Sequence, residues 1–171
     1  MSHEEAASIP LVGLTAYQAL IDIAKLQSGE KVLIHAGSGG LGTVAIQLAK
    51  SLGAFVATTT STANVDLVKR IGADQVIDYK TENYLNEVKD FDVVFDTLGG
   101  DYTADAFKVI KMGGRVVSVS GDLDGQTTKN LGLSFFIRGL LALKARKVTK
   151  AAEQKKALYR FVLMSPNGQQ L

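Results

Sequence analysis

The sequence predicts a doubly wound α/β fold: a parallel sheet of six strands in the order 3-2-1-4-5-6, flanked by helices. Three observations lead there. Short β-rich apolar runs alternate with amphipathic segments through short loops, a pattern that requires right-handed crossovers between parallel strands. The second run, Ala54 to Thr59, is apolar or β-branched throughout, as suits a strand covered on both faces. A glycine-rich turn, Ala36 to Gly42, leaves the first run and opens a helix. At 171 residues the chain is the size of one domain.

Each element has its own signal. Ser2 and Glu5 are spaced as a capping box at the start of a helix, and helical spacing is clear from about Leu14 to Leu26, ending at Ser28-Gly29. Lys31 to His35 reads as the first strand, Thr43 to Leu52 as a helix stopped by Gly53, and Ala54 to Thr59 as the second strand. A helix over Ala63 to Ile71 is closed by Gly72. Asp74 to Tyr79, Phe91 to Asp96 and Gly114 to Ser120 follow as strands, separated by segments of helical spacing. Asp122 to Lys129 reads as a polar loop, Leu131 to Leu143 as a helix followed by a basic linker, and Leu158 to Met164 as the sixth strand; Pro166-Asn167-Gly168 reads as a turn or helix start. The chain is thus one domain over 1–171, with opening helices in 1–28, five strands and their helices in 29–121, and a helical segment with the edge strand in 122–171.

Composition narrows the function classes. With 46% hydrophobic and 21% charged residues the chain has a globular composition, and with no cysteine it has no disulfide framework, thiolate nucleophile or thiolate-based zinc site. The most apolar run, Leu131 to Leu143, is interrupted by Arg138, so no membrane span is expected, and a cytoplasmic location is the default expectation. The net charge of +2 hides an asymmetry: residues 1–128 carry 10 Lys and Arg against 16 Asp and Glu, whereas residues 129–171 carry nine against one. That basic charge decorates an apolar helical pattern rather than a nucleic-acid module, so it reads as a solvated face or a surface near an anionic cofactor, with no nucleic-acid partner.

Gly37, Gly39 and Gly42 fit G-x-G-x-x-G in the strand-to-helix context that a dinucleotide-binding, Rossmann-type site needs. The first glycine permits the tight turn, the second the approach of a pyrophosphate to bare backbone, and the third close packing of helix on sheet. Free N–H groups and the positive end of the helix dipole favour phosphate there. A tight turn without ligand is the competing reading. After the second strand, where an NAD site places a carboxylate for the ribose 2′-hydroxyl, the chain has Thr58-Thr59-Thr60-Ser61-Thr62-Ala63-Asn64, with no acid until Asp66. The missing carboxylate favours NADP and argues against a methyltransferase. The same Thr and Ser residues also suit a strand and a helix cap, and no Lys or Arg stands in that stretch.

Several strings together resemble one family: PLVGLTAYQAL (Pro10 to Leu20), GEKVLIHAGSGGLGTVAIQLAK (Gly29 to Lys50), GADQVIDY (Gly72 to Tyr79), FDVVFDTLGG (Phe91 to Gly100) and GGRVVSVSG (Gly113 to Gly121). They resemble the cofactor domain of the medium-chain dehydrogenase/reductases, in the zinc-independent NADPH:quinone oxidoreductase-like branch. The resemblance covers nearly the whole chain and implies reversible hydride transfer between NADPH and a quinone, enone or similar carbonyl substrate. It implies that Gly39, Gly40, Leu41 and Gly42 bind the pyrophosphate, with Gly37 opening the turn, and that Thr60, Ser61 and Tyr79 lie at the 2′-phosphate end. It further implies that Thr15 contacts the nicotinamide and that Leu98, Gly99, Ser120 and Gly121 line the cofactor groove. The branch often has a lysine where this chain has Asn64. The family's GroES-like catalytic domain is expected to be missing, which would make the chain a fragment with its substrate pocket largely elsewhere; no zinc is expected in it. Related enzymes dimerise near the last strand, so a homodimer through the edge strand Leu158 to Met164 is expected.

No catalytic residue emerges from the sequence. Only His3 and His35 exist, and His35, at the end of the first strand, reads as a histidine held by backbone rather than a catalyst. No tyrosine has a lysine four residues on, which excludes the short-chain dehydrogenase arrangement. Asp96 reads as a base or, equally, as a carboxylate capping nearby N–H groups. Phe135 and Phe136 lie either near the nicotinamide or in the core, and their leucine-rich company favours core. Such a site suits chemistry carried by the cofactor. The competing classes are a standalone dinucleotide-binding module without turnover, and an interaction protein with a vestigial groove.

Overall fold

A computed structural model describes residues 2–170; the side chain of Glu5 lies outside the described set, and with it that half of the expected capping box. Six parallel strands form one sheet in the order β3-β2-β1-β4-β5-β6: β1 Lys31–Ile34, β2 Phe55–Thr60, β3 Gln75–Asp78, β4 Phe91–Asp96, β5 Ile110–Ser118 and β6 Leu158–Phe161. This is the Rossmann-type topology. The central β1 pairs with β2 from Lys31↔Phe55 to Ile34↔Thr58 and with β4 from Val32↔Val93 to Ile34↔Phe95. The direction of winding reverses between β1 and β4, so a crevice opens at the carboxyl ends of these strands.

Both faces of the sheet are buried, and the period of two along each strand sorts its residues between them. Val32, Ile34, Val93 and Phe95 point to one side, where they meet Ala16, Leu20, Ala45 and Ile46. Leu33, Val94 and Val116 point to the other, against Tyr84, Phe107, Val148 and Tyr159. The first layer comes from α1 (His3–Tyr17) and α2 (Gly40–Ser51), and the second from α4 (Tyr84–Glu87), α5 (Asp101–Val109) and α8 (Arg146–Gln154), with α3 (Val65–Arg70) following β2. On α2, Ala45, Ile46 and Ala49 recur at helical spacing on the buried face, and Gly53, at φ +78°, ends the run.

Several expectations need correction. The first helix starts at His3 and passes through Pro10 into a π-helical segment, Gln18–Ile23, so it ends short of Leu26. Residues Ala6–Ile23 form an 18-residue stretch of mean hydropathy 1.4, which is long and apolar enough to cross a membrane by length and composition, contrary to the reading that Leu131 to Leu143 was the most apolar run. A third of that stretch is buried inside the protein, toward its carboxyl end, where Ala16, Ala19 and Leu20 are fully enclosed against the sheet. The polar loop after Asp122 contains a short helix, α6 (Gly125–Asn130), because the Asp124 carboxylate caps it by accepting from the N–H groups of Gln126 and Thr127. The basic linker is α8, which buries only Val148 and Ala152 and is otherwise dominated by charged and polar residues. The sixth strand stops at Phe161, three residues early, and Val162 closes it by donating to the Ser118 carbonyl. Around Asn167 the chain does turn: its side chain accepts from the Gln169 N–H and its carbonyl from the Gln170 N–H.

Phe135 and Phe136 are not core. They lie on α7 (Phe135–Lys144), 83% and 88% exposed, and no residue of that helix is buried. Leu140 and Leu143 share its bare surface.

Candidate functional site

The glycine turn sits at the carboxyl end of β1. Ala36 adopts φ +52°, a left-handed conformation uncommon for a residue with a Cβ, and so turns the chain sharply out of the sheet. Gly37 then donates to the Thr59 carbonyl, and Gly39 donates to Ala36 O at 2.9 Å and caps α2 in an extended conformation. Neither Gly37 nor Gly42 has room for a side chain. A Cβ on Gly37 would overlap Thr58 Oγ1 and stand 2.9 Å from Ile46 Cδ1; one on Gly42 would overlap Ala36 O and stand 2.7 Å from Gly37 Cα. Gly40, by contrast, faces open space. The first helical bond is Thr43 N–H to Gly39 O, so the N–H groups of Gly40, Leu41 and Gly42 precede the ladder and form its positive end.

Beside this turn opens a cavity of about 810 Å³, lined on one side by Ala36, Ser38, Gly39, Thr59, Thr60 and Tyr79 and on the other by Leu98 and residues of α4 and α5. Its rim near β2 is a chain of hydroxyls and one amide. Thr60 Oγ1 donates to Ser38 Oγ at 2.9 Å, and Asn64 Nδ2 donates to Ser38 Oγ at 3.3 Å and to Ser61 Oγ at 3.2 Å. Tyr79 stands 54% exposed at the edge of the cavity, with the Lys80 ammonium 5.3 Å from its ring centre.

The opposite wall was missed from sequence: Glu82, Asn83, Tyr84 and Leu85 enter with α4, and Asp101, Tyr102 and Asp105 with α5. Behind it, Tyr84 packs edge-on against His35 with ring centres 4.8 Å apart, and Tyr102 does the same at 5.3 Å. The only available signals were local ones: Asn83, whose side chain accepts from Leu85 N–H to start α4, and the paired glycines before Asp101. The expectation that backbone holds the His35 ring fails. Its Nδ1 lies 3.4 Å from Thr59 Oγ1, and its Nε2 is buried without a partner among the described residues. Burial pushes the imidazole down to about 4, against a smaller upward pull from Asp96, so His35 is neutral.

Asp96, fully buried at the end of β4, is a structural clamp. Its Oδ1 accepts from the N–H groups of Leu98 and Gly99, both at 3.0 Å, and its Oδ2 from Thr103 Oγ1 at 2.5 Å and Ser118 Oγ at 2.8 Å. The clamp ties the ends of β4 and β5 together. There a Cβ on Gly99 would overlap Ser120 O, and Gly121 N–H donates to Ser118 Oγ. The structure therefore brings Gly37, Gly39, Gly40, Leu41, Gly42, Thr60, Ser61, Tyr79 and Leu98 around one turn and cavity, with Gly99, Ser120 and Gly121 adjoining along the strand ends. Thr15 is apart from the cavity lining: it lies on α1 with its hydroxyl donating to Leu11 O at 2.6 Å.

Residues 40–162 match the family described as zinc-binding dehydrogenase. The chain belongs to that family. It lies within the medium-chain dehydrogenase/reductases, oxidoreductases that use a nicotinamide dinucleotide. Over an alignment of 180 positions it is 35% identical to the mitochondrial NAD(P)H oxidoreductase RTN4IP1 of Danio rerio, which covers 100% of this chain and 46% of the relative. It is 43% identical to the 2-methylene-furan-3-one reductase of Solanum lycopersicum over 123 residues, 71% of this chain and 31% of that protein. The solved quinone oxidoreductase from Coxiella burnetii superposes with a TM-score of 0.81 at 36% identity, covering 99% of this chain and 47% of that one. The chain thus spans less than half the length of these relatives.

The residues present suit one of the two groups associated with this dehydrogenase family and not the other. A dinucleotide fits, because the turn forbids a Cβ at Gly37 and Gly42 but leaves Gly40 bare beside unpaired helix N–H groups. A metal does not fit: no group of three or more His, Cys, Asp or Glu able to hold one occurs among the described residues.

Proposed function

We propose that this chain is the NADP(H)-binding domain of an oxidoreductase that passes hydride between NADPH and a quinone, enone or similar carbonyl compound. One observation carries the reading: a glycine turn packed too closely at Gly37 and Gly42 for any side chain, and bare at Gly40, borders an 810 Å³ cavity whose β2 rim offers hydroxyls where an NAD site would hold a carboxylate. Gly39, Gly40, Leu41 and Gly42 hold the pyrophosphate by backbone N–H groups, and Thr60, Ser61 and Tyr79 hold the phosphorylated ribose. Leu98, Gly99, Ser120 and Gly121 line the path along the strand ends, with Thr15 beyond it toward the nicotinamide. Bound nicotinamide supplies the hydride. The chain's own residues bind and orient it, which is why no acid, base or nucleophile of this chain is assigned to the reaction.

The names of the quinone oxidoreductase and the furanone reductase among its relatives support a carbonyl-type acceptor, one to be reached in a protein of their length. The test is consumption of NADPH by such a longer protein with a panel of quinones and enones. Turnover with at least one of them supports the proposal, and NADPH consumption with none of them sinks the substrate class.

The same reading includes a homodimer. Strand β6 is paired on one side only, and the bare apolar surface of α7 and exposed Leu163 lie in the same segment of chain. Light scattering at micromolar concentration is expected to give twice the chain mass, and a monomeric mass there would remove the dimer from the proposal.

A further inference from the structure

We infer that Lys80 is the cation that distinguishes a 2′-phosphate from a free ribose hydroxyl at this site; the inference rests on the NADP(H) reading above. A doubly charged phosphate set at Ser61 and Tyr79 needs a positive partner, and the β2 side supplies none: Thr58 to Asn64 contains no Lys or Arg. Asn64 occupies the natural position for one, but its amide is neutral and already divided between Ser38 Oγ and Ser61 Oγ. The positive charge enters from the neighbouring strand instead.

β3 pairs with β2 from Ala57↔Gln75 to Thr60↔Asp78, and Tyr79 N–H then donates to Thr60 O, so the turn after β3 lies against the rim of the cavity. That turn is Tyr79-Lys80-Thr81-Glu82-Asn83, and Lys80 is its only basic residue. Asp78, the nearest acid, is occupied by other donors: the Thr62 hydroxyl at 2.5 Å and the Lys80 backbone N–H at 3.0 Å. Glu82 is likewise engaged by the Asp78 N–H at 2.9 Å. The Lys80 ammonium stands 5.3 Å from the centre of the Tyr79 ring and makes no ion pair within 4 Å among the described residues, although its charge helps hold the Asp78 carboxyl down. From there a swing of its flexible stem reaches an anion held by Ser61 and the Tyr79 hydroxyl, because Lys80 directly follows Tyr79, which lines the cavity.

The test compares the wild-type chain with Lys80→Gln and Lys80→Arg, titrating NADPH and NADH separately at low and moderate salt. Lys80→Gln is expected to weaken NADPH about tenfold and leave NADH within about twofold, since one charge-assisted contact is lost from one ligand only. Lys80→Arg is expected to keep the preference, and the salt dependence of NADPH binding should fall in Lys80→Gln. If the wild type prefers NADPH and Lys80→Gln keeps that preference, the role of Lys80 is overturned while the NADP(H) reading stands. If the wild type shows no preference for NADPH, that reading fails and takes the role of Lys80 with it.

Discussion

The sharpest structural prediction concerns Gly37. Replacing it with alanine puts a Cβ onto Thr58 Oγ1, 3.0 Å from Thr58 Cβ and 2.9 Å from Ile46 Cδ1. Ile46 Cδ1 is a side-chain end that can rotate away, but Thr58 cannot yield easily, because its hydroxyl is buried and donates to Ile34 O at 2.7 Å. Overpacking of this kind costs about 1–3 kcal/mol. Thr58→Ala alone costs about 1–2 kcal/mol, for the lost hydrogen bond and a methyl-sized void. In the double variant the two costs do not add, because removing Oγ1 makes the space the new methyl needs; a coupling of about 1 kcal/mol or more in favour of Gly37→Ala/Thr58→Ala is expected. Thr58→Val keeps a branch atom where Oγ1 stood and should give no rescue. Urea unfolding with unchanged m-values reads all six proteins, the wild type, the three single variants and the two double variants that pair Gly37→Ala with Thr58→Ala or Thr58→Val. Additivity within about 0.4 kcal/mol for the alanine pair, or equal rescue by valine, would refute the claim that Thr58 closes the space at Gly37.

Other expectations follow from buried polar groups. Between about pH 4 and the ordinary histidine value of 6.5, the unfolded chain takes up a proton that buried His35 refuses, so stability is full above that window, falls as pH drops through it, and is level below. The window is worth about 3 kcal/mol, and His35→Gln should flatten it in pH-dependent denaturation; an unchanged slope would mean His35 is not the group responsible. Asp96→Ala strands two N–H groups and two hydroxyls in the interior and is expected to cost about 3–5 kcal/mol by the same measurement, with a loss under about 1 kcal/mol contradicting the clamp. Tyr84→Phe removes a buried hydroxyl that has no partner among the described residues, and stability should be unchanged or higher by up to about 1 kcal/mol; a clear loss would reveal a hydrogen bond.

The strand order was legible because both-face burial writes itself as apolar runs such as Phe91 to Asp96, whose bounds match the structure to the residue. The glycine spacing was legible for a related reason: close packing at Gly37 and Gly42 excludes every other residue type. Elements that bury little were not. Helix α8 contributes two small side chains to the core amid four charged residues, so composition reads as linker. Phe135 and Phe136 misled in the opposite sense, since aromatic residues signal burial only when something covers them. The far cavity wall was hidden because Tyr84, Tyr102 and Asp105 come from two short helices that converge only through the sheet topology. Asn64 and Lys80 illustrate the same limit, being far apart in sequence yet flanking one rim through the pairing of β2 with β3.

The central claim is that the turn and cavity form a dinucleotide site that selects the phosphorylated cofactor. Calorimetric titration of the 171-residue chain with NADPH and, separately, NADH at one fixed salt concentration tests it most directly. The account predicts saturable binding of NADPH at least about tenfold tighter than NADH, a difference of about 1.4 kcal/mol. Equal affinities, or no binding of either, would contradict it.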